Sequence, residues 1–256
     1  MRCTNCGSEV QTGGRFCTHC GATIGTGTAV PVAGGAFAAP GVAPSSLVYL
    51  FGERFVERDT AFTAGEKLPC SEIKVKKKDL TESMFLAAFA ALAQDGRLAA
   101  TMGQKRTLLF KTNAVFVAVS RHDAQDPGSL EGRLLHAITG QAQRDSVEEL
   151  VWRAVGDSSI DPWGTVIDFV KGYLFQMGLF TEGERSGLVK FVAGRKLVPQ
   201  CDRISALEAG LPAVQSLLEE LRGRNPDLNK QLHEDIKKGI NSRYEAPDTD
   251  TSSSND

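Results

Sequence analysis

The stretch TESMFLAAFAALAQDGRLAATMGQKRTLLFKTNAVFVAV, residues 81–119, decides the fold because its hydrophobic period changes once, at Gly96. In its first half Met84, Phe85, Ala88, Phe89, Leu92 and Ala93 recur at steps of three and four, the period of a helix face. Thr81 stands where an N-cap belongs, and Glu82 adds negative charge to the first turn, where the helix dipole favours it. Asp95-Gly96 ends the helix, since glycine takes the left-handed backbone that a helix C-terminus often requires. Beyond it, Leu98–Thr101, Thr107–Lys111 and Ala114–Val119 carry the β-branched and aromatic residues of strands, with Met102-Gly103-Gln104 and Thr112-Asn113 as turns. The unit reads as helix, glycine, small sheet.

Working outward, a second such unit follows. Asp161-Pro162 opens a helix through about Met177, with Val166, Phe169, Val170, Tyr173, Leu174 and Met177 as its apolar stripe. Gly178-Leu179-Phe180 ends it, and Gly187–Val192 with Lys196–Val198 supply strands around Gly194. Helix, glycine and strand also recur by chance, but two copies in one order predict a duplicated winged-helix-like module sharing one core. The fold class is therefore α+β: a small cysteine-rich ribbon, a flexible linker, and a mainly helical body with two helix–hairpin modules.

Around these units, Leu47–Phe55 reads as a strand bent at Gly52, and Glu72–Lys78 as another, with Ile73 and Val75 alternating against lysines. Ser129 caps a helix through Ile138, and Ser146 with Glu149 forms a capping box for a helix through Val155. Ile204–Arg222 is helical with an interruption at Gly210 and Pro212, and Pro226 starts a helix through about Ile240 that carries a Glu234–Lys238 pair. The polar tail, residues 242–256, is too poor in apolar residues to order itself.

The chain has 256 residues, 41% hydrophobic and 23% charged, the composition of an ordinary globular protein. Its 29 Lys and Arg against 31 Asp and Glu leave a formal net charge of -2, so nucleic acid or anionic lipid could be bound only by a local basic patch. The densest positive run, Lys76-Lys77-Lys78, reads as a solvated loop before a helix, with phosphate contact as the alternative. The N-terminus lacks an apolar signal region and no stretch is long and apolar enough to span a membrane, which predicts a cytoplasmic location.

Four of the six cysteines fall in the first twenty residues, as Cys3-x2-Cys6 and Cys17-x2-Cys20, each pair followed by a glycine. Two thiolates three apart on a tight turn can face one cation, and two such knuckles complete a closed tetrahedral site. Residues 1–23 resemble the short zinc-ribbon family, which implies zinc held by Cys3, Cys6, Cys17 and Cys20; two disulfides or free thiols are the alternatives, and disulfides need an oxidising compartment. So short a segment draws its folding free energy from the metal. His19 is left outside the shell. Residues 24–46, rich in Gly, Ala and Pro, have no periodicity and predict a flexible linker, with docking through Phe37 as the alternative. The body then runs over residues 47–241.

Within the body, FLAAFAALAQDGRLAA followed by strands, the SLEGRLLHAI helix, a helix ending QMGLFTE, and GLVKFVAGRKLVP before a final helix occur in an order that resembles the Golgi phosphoprotein three family. That resemblance implies a mainly helical body and, for the family's eukaryotic members, a membrane-recruited adaptor that binds a phosphoinositide headgroup. The family's lipid site uses a tryptophan and arginines on the helices matching Thr81–Leu92 and Trp163–Gln176. Neither stretch here contains an arginine, so headgroup binding carries over to no residue, and Trp163 reads as a core or cap residue.

Three functions are thus expected in order: a non-enzymatic adaptor making protein–protein contacts; a winged-helix nucleic-acid-binding regulator using Arg97, Lys105, Arg106 and Lys111; and a peripheral membrane adaptor. Catalytic and cofactor-binding residues are not indicated, nor is a small-molecule substrate. His122 beside Asp123 reads as an exposed loop pair, and Gly103–Lys105 lacks the remaining positions of a phosphate-binding loop. Cys70 and Cys201 have no adjacent histidine; the two could meet, but each reads as a small buried hydrophobe.

Overall fold

A computed structural model describes residues 41–60, 65–106, 110–120, 127–138, 145–156, 160–183 and 197–243. The ribbon cysteines, His19, residues 24–40 of the linker, His122-Asp123, the strand expected at Gly187–Val192 and tail residues 244–256 lie outside the described residues. The chain divides into two units, Met1–Ala36 and Phe37–Asp256, and every described residue belongs to the second.

Helix α2, Lys77–Gln94, is the axis of the body. From Leu80 to Leu92 every residue but Ser83 is buried. A helix apolar on all sides must be enclosed by other elements, and five helices surround it: α1 (Pro44–Leu50), α3 (Leu130–Ala137), α5 (Pro162–Gln176), α7 (Leu211–Arg224) and α8 (Pro226–Asn241). Ala87, Ala88, Ala90 and Ala91, all nearly inaccessible, let those neighbours approach closely. The helix starts four residues before Thr81, because Lys77, Lys78 and Leu80 are themselves good helix formers. Thr81 is no cap: it is buried, and its hydroxyl donates to the Trp163 carbonyl at 3.3 Å.

At the other end the glycine reading holds in detail. Gly96 has φ +66, the Gly96 N–H reaches the Ala93 carbonyl, and the Arg97 N–H reaches the Leu92 carbonyl. Helix α5 ends identically, with Gly178 at φ +67, Gly178 N–H to Phe175 and Leu179 N–H to Leu174. Both are Schellman caps, which satisfy the last carbonyls only if the glycine position is left-handed. Each cap leads into an antiparallel hairpin.

The first hairpin differs from the expected small sheet. Strands β3 (Leu98–Arg106) and β4 (Lys111–Val119) are long and continuous, in register from Leu98 opposite Val119 to Arg106 opposite Lys111. Met102-Gly103-Gln104 and Thr112-Asn113 are mid-strand, not turns; Gly103 lies under the Phe116 ring, where a Cβ would sit 2.7 Å from a ring carbon. The short β5 (Asp145–Ser146) adds to the far side of β4. Where β5 stops, the Val115 N–H is met instead by Asp235 on α8, at 2.7 Å. The second hairpin, β6 (Phe180–Glu182) with β7 (Leu197–Pro199), pairs Phe180 opposite Pro199.

The expected strand at Leu47–Phe55 is instead α1 followed by a 3-10 turn at Gly52–Arg54. Leu47, Val48, Tyr49 and Leu50 are all buried, and an unbroken apolar run of that length does not distinguish a buried strand from a buried helix. Pro44 at the first helical position decides for helix, so Pro44, Ser45 and Ser46 belong to the body rather than to the linker. Glu131 on α3 serves as the cap of α1: its carboxylate accepts from the Ser45 N–H at 2.9 Å and the Ser45 hydroxyl at 2.8 Å. The caps read at Ser129, Ser146 and Asp161 are present, each side chain accepting a backbone N–H three residues on. The remaining elements are a two-residue hairpin, β1 (Glu66–Lys67) with β2 (Lys74–Val75), and α4 (Val147–Val155) and α6 (Cys201–Ser205).

Candidate functional site

Most of the basic residues singled out in the sequence meet a partner within the body. Helix α2 begins on the lysine run, and each of the three ammonium groups has its own partner, two of them at the start of α5. Lys76 approaches Glu57 at 4.0 Å, Lys77 bonds Asp161 at 2.5 Å, and Lys78 lies over the Trp163 ring, 5.9 Å from its centre. The Asp161 hydrogen bond raises the Lys77 pKa; in return Lys77 and the Gly164 N–H overcome partial burial and hold the Asp161 carboxyl below its usual value. On β3, Lys105 reaches Glu148 and Glu149 at the start of α4, at 3.5 and 3.0 Å. Burial lowers the Lys105 pKa, but those two carboxylates outweigh it and the net shift is upward. Arg97 lies 3.9 Å from Asp95. Arg106 and Lys111 are exposed and directly opposite one another at the tip of the long hairpin.

Trp163 is 2% exposed and its indole N–H donates to Asn241, a core position as read. Phe89 is 5% exposed, whereas Phe169 is only partly buried and has its open face covered by the Arg133 guanidinium, 4.5 Å from the ring centre.

A cavity of about 770 Å³ lies beside the β1–β2 and β6–β7 hairpins, walled by Leu68, Pro69, Phe180, Leu197 and Pro199. Its polar floor is Tyr49, Glu66 and Lys171. The Lys171 ammonium meets Glu66 at 2.8 Å and Asp168 at 3.8 Å, and the Tyr49 hydroxyl donates to Glu66 at 3.5 Å. Burial, then the Glu66 charge, pushes the Tyr49 phenol far above its ordinary value, so it stays a neutral donor at any physiological pH. The sequence does not signal this trio, because Tyr49 falls in a stretch that reads as a strand and Glu66 and Lys171 carry no local motif.

Cys70 lines the same cavity and is bonded to Cys201, a correction to the reading of two small buried hydrophobes. Both residues are exposed, and the bond spans 131 positions of sequence with 5.5 Å between Cα atoms. A pairing of that separation follows from topology, which brings the β1–β2 turn against the start of α6; no local signal encodes it.

Among the described residues no group of three or more His, Cys, Asp or Glu is placed to hold a metal ion, and no described helix is long and apolar enough to cross a membrane. The metal question therefore falls to the first unit.

Residues 2–24 match the family model of a zinc-ribbon domain. The match covers both Cys-x-x-Cys pairs. The donor set fits the metal that the family implies: four soft thiolates in two knuckles suit a tetrahedral zinc with no coordination position left open, a site that supplies folding free energy rather than a reactive centre. Cys3, Cys6, Cys17 and Cys20 would hold it. No curated protein and no solved structure matches the chain, so the Golgi phosphoprotein three resemblance of the body gains no support from either comparison.

Proposed function

We propose that this is a non-enzymatic binding protein of adaptor type, in which the zinc ribbon and the helical body are two contact modules for protein partners. The zinc-ribbon match carries the reading: a four-thiolate site is closed to substrate, so its use is to fold a small surface that another macromolecule can recognise. Internal neutralisation on the body points the same way. Lys77 and Lys105 are already paired, and a phosphate would have to displace carboxylates that sit within about 3 Å of them.

A second reading has one observation in its favour. If the two helix–glycine–hairpin units are winged-helix modules, the exposed Arg106 and Lys111 stand at the tip of a wing, where a nucleic-acid backbone would be touched. Membrane recruitment rests on the family resemblance alone.

Cross-linking the zinc-loaded full chain in cells, with Cys17→Ser beside it, tests the adaptor reading. The expected result is one defined protein cross-linked to the wild type and lost with Cys17→Ser while the body stays folded. Recovery of nucleic acid as the principal cross-linked species would replace the adaptor reading by the second.

A further inference from the structure

The Cys70–Cys201 bond joins two surface pieces that are each anchored without it. The β1–β2 hairpin is held by Leu68, 2% exposed, by the Leu68 N–H to the Ile73 carbonyl at 3.0 Å, and by the bridge between Arg58 and Val75. Helix α6 is held by Ile204, 2% exposed, and by Arg203, whose guanidinium donates to the Gly178 carbonyl at 2.6 Å. Opening the bond therefore leaves the core closed and the hairpin tip, Cys70–Glu72, which lines one side of the cavity, held among the described residues only by the exposed Lys67–Glu72 pair at 2.8 Å and the Ile73 N–H to the Ser71 hydroxyl at 3.0 Å.

Three features favour a bond that opens and closes over a permanent staple. Both cysteines are exposed, and exchange requires that an external thiolate reach a sulfur. Cys70 is the one non-glycine residue with positive φ among those described, at 56°, a conformation uncommon for a residue with a Cβ and free to relax once the cross-link is gone. The same chain carries a zinc-ribbon domain whose four cysteines work only as thiolates, so the protein is suited to surroundings in which thiols persist and an accessible disulfide exchanges.

We propose that Cys70 and Cys201 form a reversible dithiol–disulfide site, turned over by a dithiol reductant, that controls access to the adjoining cavity. A thiolate of the reductant attacks one of the two sulfurs, forming a mixed disulfide and releasing the other cysteine as a thiolate, which takes a proton. The reductant's second thiolate then displaces the remaining cysteine and leaves as a cyclic disulfide. Two electrons and two protons pass to the protein, and the reductant is oxidised by the same count.

The test uses the zinc-loaded full chain in buffers stepped from oxidised to reduced dithiothreitol. Site-resolved alkylation and mass spectrometry read Cys70 and Cys201 separately from the ribbon cysteines. Hydrogen exchange reads Cys70–Ile73 against α2 in the same samples. The expected result is complete, reversible conversion without denaturant, with amide exchange at Cys70–Ile73 faster by about tenfold or more in the reduced state and α2 unchanged. A Cys70→Ser/Cys201→Ser double variant should reproduce the fast exchange in oxidising buffer. The proposal is overturned if the two cysteines stay free under oxidising conditions, if the bond resists reduction until the protein unfolds, or if exchange at the tip is the same in both states.

Discussion

Removing the Glu131 carboxylate should damage the body more than its single position suggests, because Glu131 caps a different helix from the one it belongs to. It is 1% exposed and accepts both the N–H and the hydroxyl of Ser45, itself fully buried at the first turn of α1. In Glu131→Ala both Ser45 groups lose their acceptor where water cannot reach, at about 1–3 kcal/mol each. With the small cavity added, the expected loss is about 3–5 kcal/mol, a large share of the roughly 5–15 kcal/mol that holds a typical domain together. Glu131→Gln keeps an acceptor for the N–H and offers a donor to the hydroxyl, so its cost at pH 7 should stay within about 1 kcal/mol. A pH series separates the two roles of the carboxyl. Burial raises its pKa in the folded state against the opposing Ser45 hydrogen bonds, so the folded protein keeps this proton where the unfolded chain has lost it. Its contribution is therefore full below about pH 4.5 and declines as pH rises towards the folded value. Relative to wild type, Glu131→Gln should gain stability as pH climbs through that window. Urea unfolding of the three proteins at several pH values measures this; a loss below about 1 kcal/mol for Glu131→Ala would refute the capping role, and a pH-independent difference for Glu131→Gln would refute the upward shift by burial.

Other outcomes rest on the same packing. Phe89→Ala, opening a hole beside the central helix, should cost about 3–5 kcal/mol in the same assay. Gly239→Ala should cost at least about 1–3 kcal/mol, because its Cβ would lie 2.5 Å from the Glu148 carbonyl oxygen and 2.9 Å from Val151, forcing α8 away from α4; unfolding at wild-type urea concentration would show that the two helices are less tightly apposed. Metal analysis of the purified chain should give one zinc per chain, and Cys17→Ser should abolish it while the circular dichroism of the body is kept.

Periodic and capping signals were legible in the sequence, and non-local ones were not. The change of period at Gly96 located α2, its cap and the strand after it, and Ser129, Ser146 and Asp161 marked three helix starts, because each of those signals acts within four residues. Thr81 misled because a residue with cap chemistry can equally donate to another helix once buried. Leu47–Leu50 misled because full burial erases periodicity, and Pro44 was the better guide. Asp235 did leave a trace. It sits on the same stripe as Leu232, Ile236 and Ile240, and a carboxylate on an apolar stripe signals a buried acceptor, here for the Val115 N–H on the side of β4 that β5 leaves open. The Tyr49–Glu66–Lys171 trio and the Cys70–Cys201 bond left no trace, since each is assembled from elements distant in sequence. In the first unit the reverse holds: the two cysteine pairs alone mark the site that the zinc-ribbon match implies.

The most direct test of a protein-binding role is a titration of the zinc-loaded full chain with a labelled DNA duplex and a labelled RNA strand at physiological salt, repeated at two further salt concentrations. With Lys77 and Lys105 paired internally, binding weaker than micromolar and nearly flat in salt is expected. Sub-micromolar affinity that falls steeply with salt, and that Arg106→Ala and Lys111→Ala weaken, would contradict it and establish the hairpin tip as a nucleic-acid contact.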